Sequence, residues 1–222
     1  KIYLTHFIKS ENKNKKDLKK FIDVNWKLWD DVLDYIKKNK VKNDLVERIV
    51  SHLRKSNNDY FGAVKLIPGR YLRLYVEAYQ SFIWNEITRR LIEKIAIKKF
   101  TLSYIAGVLV FHEKLNDEDH KLLKEAGFNF NEIEANGKIE KMIKEIMNEV
   151  VLKEEIPLSM LRNHFFGAGV LKVRKVLLFP KNFSILNISE DEIYKKFKKL
   201  KITFNLNPGA YATMVTRLLF KQ

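Results

Sequence analysis

Apolar residues recur through the first part of the chain at the 3.6-residue spacing of amphipathic helices. Phe21, Val24, Leu28, Val32, Tyr35 and Ile36 predict one helix from Asp17 to Asn39. Leu45, Val46, Ile49, Val50 and Leu53 predict a second, which Asn43 can cap. Asn57-Asn58-Asp59 breaks that helix, a short turn of helix is expected from Asp59 to Ile67, and Pro68-Gly69 punctuates the chain. A long helix follows from about Tyr71 to Lys94, with Leu72, Tyr75, Val76, Tyr79, Phe82, Ile83, Ile87 and Leu91 as its apolar stripe. On another face Ser81, Asn85 and Arg89 stand at four-residue steps and stack along one line. Neutral polar groups among large aromatics imply a mostly buried helix whose polar groups need specific partners, expected inside the fold.

Phe100 to Glu113 is β-rich and has room for one or two short strands. Asn116 should cap a helix from Asp117 to Ala126 that Gly127 ends. Gly137 should open another, with Ile139, Met142, Ile143, Ile146, Met147, Val150 and Val151 in register as core. Pro157 to Leu161 begins a further turn, and Arg162 to Gly169, with Phe165, Phe166 and Gly167, reads as a loop. Val170–Phe179 and Phe183–Ile188 are predicted strands that turn at Pro180-Lys181-Asn182. From Lys198 to Asn205 the chain alternates, with Leu200, Ile202, Phe204 and Leu206 opposite Lys199, Lys201, Thr203 and Asn205. Asn207-Pro208-Gly209 then turns into a last helix, Ala210 to Phe220. The class is α+β, helix-rich first and sheet-bearing at the end. Two or three strands and one helix make a poor core alone, so the closing strands are expected to belong to a larger sheet.

Composition narrows the chemistry. The 222 residues are 46% hydrophobic, enough for one large domain or two small ones with a real core. Cysteine is absent, which excludes disulfides, thiolate zinc sites, iron–sulfur clusters and cysteine nucleophiles. No apolar run approaches the roughly 18 residues that cross a bilayer, and Lys1 to Lys20 is too polar for a signal peptide, so a cytoplasmic protein is expected. Lys and Arg outnumber Asp and Glu by 42 to 27, a net charge of +15. Residues 157–222 hold twelve basic and three acidic side chains and so carry +9 of it. Such asymmetry suits a polyanion, nucleic acid first; a solvated Lys-rich surface is the plainer alternative. Arg162, Lys172, Arg174, Lys175, Lys199 and Lys201 are the candidate RNA contacts. The five His show no metal-ligand spacing, and no phosphate-binding Gly-rich loop or Ser-His-acid set stands out. No metal is expected, and residue chemistry alone offers no active site.

Two longer segments carry a resemblance. Arg73-Leu74-Tyr75-Val76-Glu77-Ala78-Tyr79-Gln80-Ser81-Phe82-Ile83-Trp84-Asn85 resembles the R-x-x-Y-x-x-A-x-Q-S-x-x-x-N helix of the TruD family of tRNA pseudouridine synthases. Phe204 to Arg217, through Asn207-Pro208-Gly209-Ala210-Tyr211-Ala212-Thr213, is similar to that family's F-x-L-P-x-G-S-Y-A-T-x-x-x-R signature, with Ala210 in place of the usual Ser. The run from Asn57 to Val64 is also typical of the archaeal and eukaryotic branch. The resemblance singles out Arg73, Gln80, Ser81, Asn85, Gly209, Tyr211, Ala212, Thr213 and Arg217. It implies a cofactor-free isomerisation of uridine to pseudouridine, typically at uridine 13 of tRNA, in which an Asp attacks a base flipped out of the RNA.

The departures matter as much. The family's nucleophile lies in a G-x-x-D-K-type segment upstream of the Gln-Ser helix, and no such segment occurs in these residues. Asp59-Tyr60-Phe61-Gly62 mimics the core of the family's N-Y-F-G-x-Q-R-F-G motif, but Ala63-Val64-Lys65 follows, so Phe61 reads as structural. Together with a start at Lys1 and not Met, this suggests the C-terminal half of the enzyme, lacking its catalytic Asp and inactive alone. The expected organisation is insertion-domain helices at 1–67, the long catalytic-domain helix at 68–95, the rest of the insertion domain at 96–170, and the returning catalytic part at 171–222. Expected partners are tRNA or another structured RNA, and an upstream half in cis or as a second polypeptide; no membrane is expected. A non-catalytic RNA-binding module derived from the insertion domain is the alternative.

Overall fold

The computed structural model describes residues 13–104, 107–130, 133, 136–162 and 172–220. Within them, a run of five helices precedes three two-stranded antiparallel sheets and the remaining helices, a mixed α+β architecture. The chain divides into two compact units, Lys1–Leu74 and Tyr75–Gln222, and the division falls within one long helix.

The first unit contains α1 (Lys13–Val24), α2 (Trp29–Lys38), α3 (Asp44–Lys55), α4 (Tyr60–Lys65) and the start of α5 (Gly69–Ile95). The single helix expected over Asp17–Asn39 is two. Lys27 adopts φ 78°, a left-handed conformation that ends the first helix, and the Asn25 side chain donates to the Phe21 carbonyl. The break exposes Val24 and Leu28, which the periodicity had placed on the buried stripe. It also lets Trp29 pack edge-on against Trp26 and donate from its indole to Asn58 Oδ1 at 2.7 Å. Asn57 and Asn58, both left-handed, end α3, a conformation Asn tolerates better than most residues. Asp59 then caps α4 by accepting from the Gly62 N–H, and its other oxygen pairs with His52. Asn43 caps α3 as expected, accepting from the Val46 N–H. Val32, Ile36, Val46, Ile49, Val50 and Leu53 seal this unit's interior.

The second unit is built on the remainder of α5. Ile83, Trp84, Ile87, Leu91 and Ile92 share a core with Leu123 of α6 (Asp117–Glu125) and with Ile139, Ile143, Ile146, Met147 and Val150 of α7 (Lys138–Lys153). Asn116 caps α6, and its side chain also holds Asp119, a buried carboxylate paired with Lys138 at 2.8 Å. That hydrogen bond from Lys138 keeps the Asp119 carboxyl below its ordinary range. Phe100–Glu113 holds two strands, β1 (Lys98–Tyr104) and β2 (Gly107–Lys114).

Of the strand expected over Val170–Phe179, the described residues form only β4 (Arg174–Lys175), which pairs with β3 (Gly127–Phe128). Gly127 is therefore a strand residue: α6 ends at Glu125, and a Cβ on Gly127 would lie 3.0 Å from the Arg174 carbonyl. The loop expected at Phe165, Phe166, Gly167 and Gly169 lies outside the described residues. After α8 (Leu158–Arg162), the closing elements are the hairpin β5 (Lys181–Glu190) with β6 (Lys198–Asn205), and α9 (Ala212–Phe220).

Candidate functional site

A hydrogen-bonded cluster within the second unit joins three elements remote in sequence. Arg174, on β4, donates from Nη1 to the Tyr211 hydroxyl at 2.5 Å and to Ser81 Oγ on α5 at 3.2 Å. Tyr211, just before α9, donates in turn to Ser81 Oγ at 3.2 Å. The Arg174 guanidinium also lies 5.1 Å from the centre of the Tyr211 ring. Ser81 can serve both because its hydroxyl donates back to the Glu77 carbonyl one turn earlier, leaving its lone pairs to the two newcomers.

Two cavities flank this cluster and share Asn85, Leu109, Tyr211 and Met214 in their walls. The larger, of about 430 Å³, is lined by Ser81, Asn85, Tyr104, Tyr211, Thr213 and Arg217 among others. Thr213 and Arg217 reach the same wall because they stand one helical turn apart on α9. Arg217 Nη1 is buried and has no hydrogen-bond partner among the described residues. An unpaired buried guanidinium nitrogen costs on the order of 1–3 kcal/mol or more, so this wall is suited to an anion. The smaller cavity, of about 200 Å³, is chiefly apolar, with Trp84, Ile92, Phe111 and Leu177 in its lining. His112 also lines it; burial, aided by nearby His120, pushes its imidazole below the ordinary range.

The remaining candidates separate by role. Gln80 is fully buried and donates from Nε2 to the Leu161 carbonyl at 3.0 Å, so it ties α5 to α8. Arg89 is held by Glu86 and Glu93 on its own helix, and the bond to Arg89 lowers the Glu86 carboxyl. Gly209 adopts φ 87° with nothing within 4 Å of where a Cβ would stand. Its requirement is therefore conformational, a left-handed backbone that glycine adopts without strain. Helix α9 begins at Ala212, two residues later than expected. Arg73 lies on the exposed face of α5 within the first unit.

Among the candidate RNA contacts, Arg162 donates to the Phe130 carbonyl at 2.6 Å and Lys175 reaches the Glu125 backbone and carboxylate. Lys199 pairs with Glu192, while Lys172 and Lys201 are exposed. The tie made by Arg174 escaped the sequence reading, which counted it only as positive charge. No spacing signals it, because its partners lie 93 and 37 positions away. Among the described residues, no group of three His, Asp or Glu side chains could hold a metal ion, and no helix is long and apolar enough to cross a membrane.

The model of the family described as tRNA pseudouridine synthase D (TruD) matches residues 1–219. A Methanocaldococcus jannaschii protein named "Probable tRNA pseudouridine synthase D 2" is 36% identical over 225 residues, covering 99% of this chain and 52% of its own length. A Methanococcus maripaludis protein named "Probable tRNA pseudouridine synthase D 1" is 31% identical over 222 residues, covering 99% of this chain and 56% of itself. The crystal structure of a TruD-type protein from Methanosarcina mazei superposes with a TM-score of 0.59 at 23% identity, covering 100% of this chain and 53% of that one; this likeness establishes the fold. The chain thus spans about half the length of the relatives it matches.

Proposed function

Because this chain belongs to the tRNA pseudouridine synthase D (TruD) family, we propose that it forms one wall of a cleft in which a uridine of tRNA, uridine 13 by family resemblance, is isomerised to pseudouridine in the cytoplasm. The observation that carries this reading is the cluster of Ser81, Arg174 and Tyr211, which joins the two family-like segments beside a cavity walled by Arg217. The reaction needs no cofactor. An aspartate attacks the nucleoside and the C–N glycosidic bond breaks; the freed uracil turns and rejoins through C5, releasing the aspartate. C5 loses its proton and N1 takes one up, so the product is an isomer of the substrate.

The attacking carboxylate comes from a segment outside these residues, since no Asp here sits in a G-x-x-D-K setting. Arg217 answers that incoming acid or a substrate phosphate, which would supply the partner its Nη1 lacks among the described residues. Ser81 and Arg174 fix the Tyr211 ring, and Asn85 and Thr213 complete the wall. Residues 68–95 and 171–222 act as catalytic-domain parts, with 1–67 and 96–170 as the inserted module.

Tritium release from tRNA carrying 5-[³H]uridine tests this. The chain alone should release none, and adding a polypeptide that bears the Asp-Lys segment should restore release that Arg217→Met abolishes. The net charge of +15 favours a second reading, a non-catalytic RNA-binding module. That reading prevails if the reconstituted pair binds tRNA and releases no tritium.

A further inference from the structure

We propose that the tip of the β5–β6 hairpin, residues 190–199, docks unpaired RNA bases, with Tyr194 and Phe197 as stacking rings and Lys195 and Lys196 as phosphate contacts. The proposal rests on the RNA-binding reading above and adds to it a surface that neither the family-like segments nor the cleft contains. Tyr194 is 66% and Phe197 68% exposed, far more than a ring retains when it packs into a fold. The turn that presents them is held firmly. Asp191 Oδ1 accepts from the N–H groups of Ile193 and Tyr194, each at 2.8 Å. The Asp191 N–H donates to the Phe197 carbonyl and the Phe197 N–H to the Tyr194 carbonyl, each at 3.0 Å. Lys196 completes the turn at φ 81°.

Charge at the tip is sorted as well. Asp191 is occupied by backbone N–H groups, Glu192 pairs with Lys199, and Glu190 faces Lys198 across the ladder. Lys195 and Lys196 have no ion pair among the described residues. Rings interleaved with uncommitted cations suit a single strand, whose bases stack and whose phosphates follow the lysines. They suit a protein partner poorly, because the cores of protein interfaces are depleted of Lys.

The test uses the whole chain with a labelled single-stranded oligouridylate and an RNA duplex of equal length. The single strand should bind more tightly. Tyr194→Ala and Phe197→Ala should each weaken it roughly 10- to 100-fold, as loss of one stacked base does. Lys195→Ala with Lys196→Ala should flatten the slope of log affinity against log salt by about 1.4. Asp191→Ala should weaken binding although it removes a negative charge, because the turn loosens; simple charge attraction gives the opposite sign. Unchanged affinity in both ring variants, equal or better binding of the duplex, or no binding of the single strand overturns the proposal. Loss of ring-dependent binding when the Asp-bearing polypeptide is added also overturns it, in favour of a protein interface. Tritium release by the pair with no dependence on the rings defeats the tip and leaves the synthase reading standing. Ring-dependent binding without release does the reverse.

Discussion

Ile83, Ile87 and Leu91 of α5 are sealed in one core with Ile139, Ile143 and Ile146 of α7, each at most 1% exposed. Ile185 and Ile188 of β5, in the same unit, stand more than half exposed, and Phe183, 41% exposed, stacks against Phe204 across the hairpin. The residues are equally apolar. The difference lies in what faces them. A helix in a bundle meets neighbours on its apolar stripe, whereas a two-stranded ladder has two open edges and nothing to cover its faces. The hairpin has the pattern of a sheet interior without the sheet, in keeping with its proposed role as the returning part of a larger catalytic domain.

This contrast can be broken by experiment. The largest effect is expected in the helical core: Ile143→Ala should cost about 2–5 kcal/mol in urea unfolding, because the transfer loss and the cavity add. Gln80→Ala should follow at about 1–3 kcal/mol, read as a lowered melting temperature, since it strands the buried Leu161 carbonyl. Gly209→Ala should cost about 1 kcal/mol through the left-handed backbone alone, with no steric penalty.

Acid should act more narrowly. Asp119 is held below its ordinary 3.8 by Lys138, so its contribution is present above that value and is lost as pH falls through the lowered folded value. Stability measured against pH should fall less steeply below 3.8 in Asp119→Asn. The smallest effect, within about 0.5 kcal/mol, is expected for Ile188→Thr on the open hairpin. A loss there as large as that of Ile143→Ala would show that the hairpin is covered, and the contrast would fail.

Much of the fold was legible because it is local. Helices α3 and α7 follow from periodicity, and Asn43 and Asn116 announce the starts of α3 and α6 by their capping chemistry. What periodicity misplaced was decided by backbone and partners. The helix over 17–39 breaks where Lys27 turns left-handed, a change that keeps the apolar spacing on both sides and so leaves no trace in it. The strand over 170–179 shrinks in the described residues to the two that find β3. A lone strand has no internal hydrogen bonds and exists only where a partner lies alongside.

The cleft divides the same way. Gln80, Ser81, Tyr211, Thr213 and Arg217 stand out in the chain as family-like residues, and the line of Ser81, Asn85 and Arg89 follows from a 3.6-residue period alone. That Arg174 clasps Ser81 and Tyr211, that Gln80 turns instead to Leu161, and that Arg217 keeps a buried nitrogen without a partner among the described residues were decided by tertiary structure. Sequence determines properties that act within a few residues, such as helical spacing, capping and turn conformation. Which of two distant polar groups meets which depends on how whole elements pack, and that is settled only when the chain closes on itself.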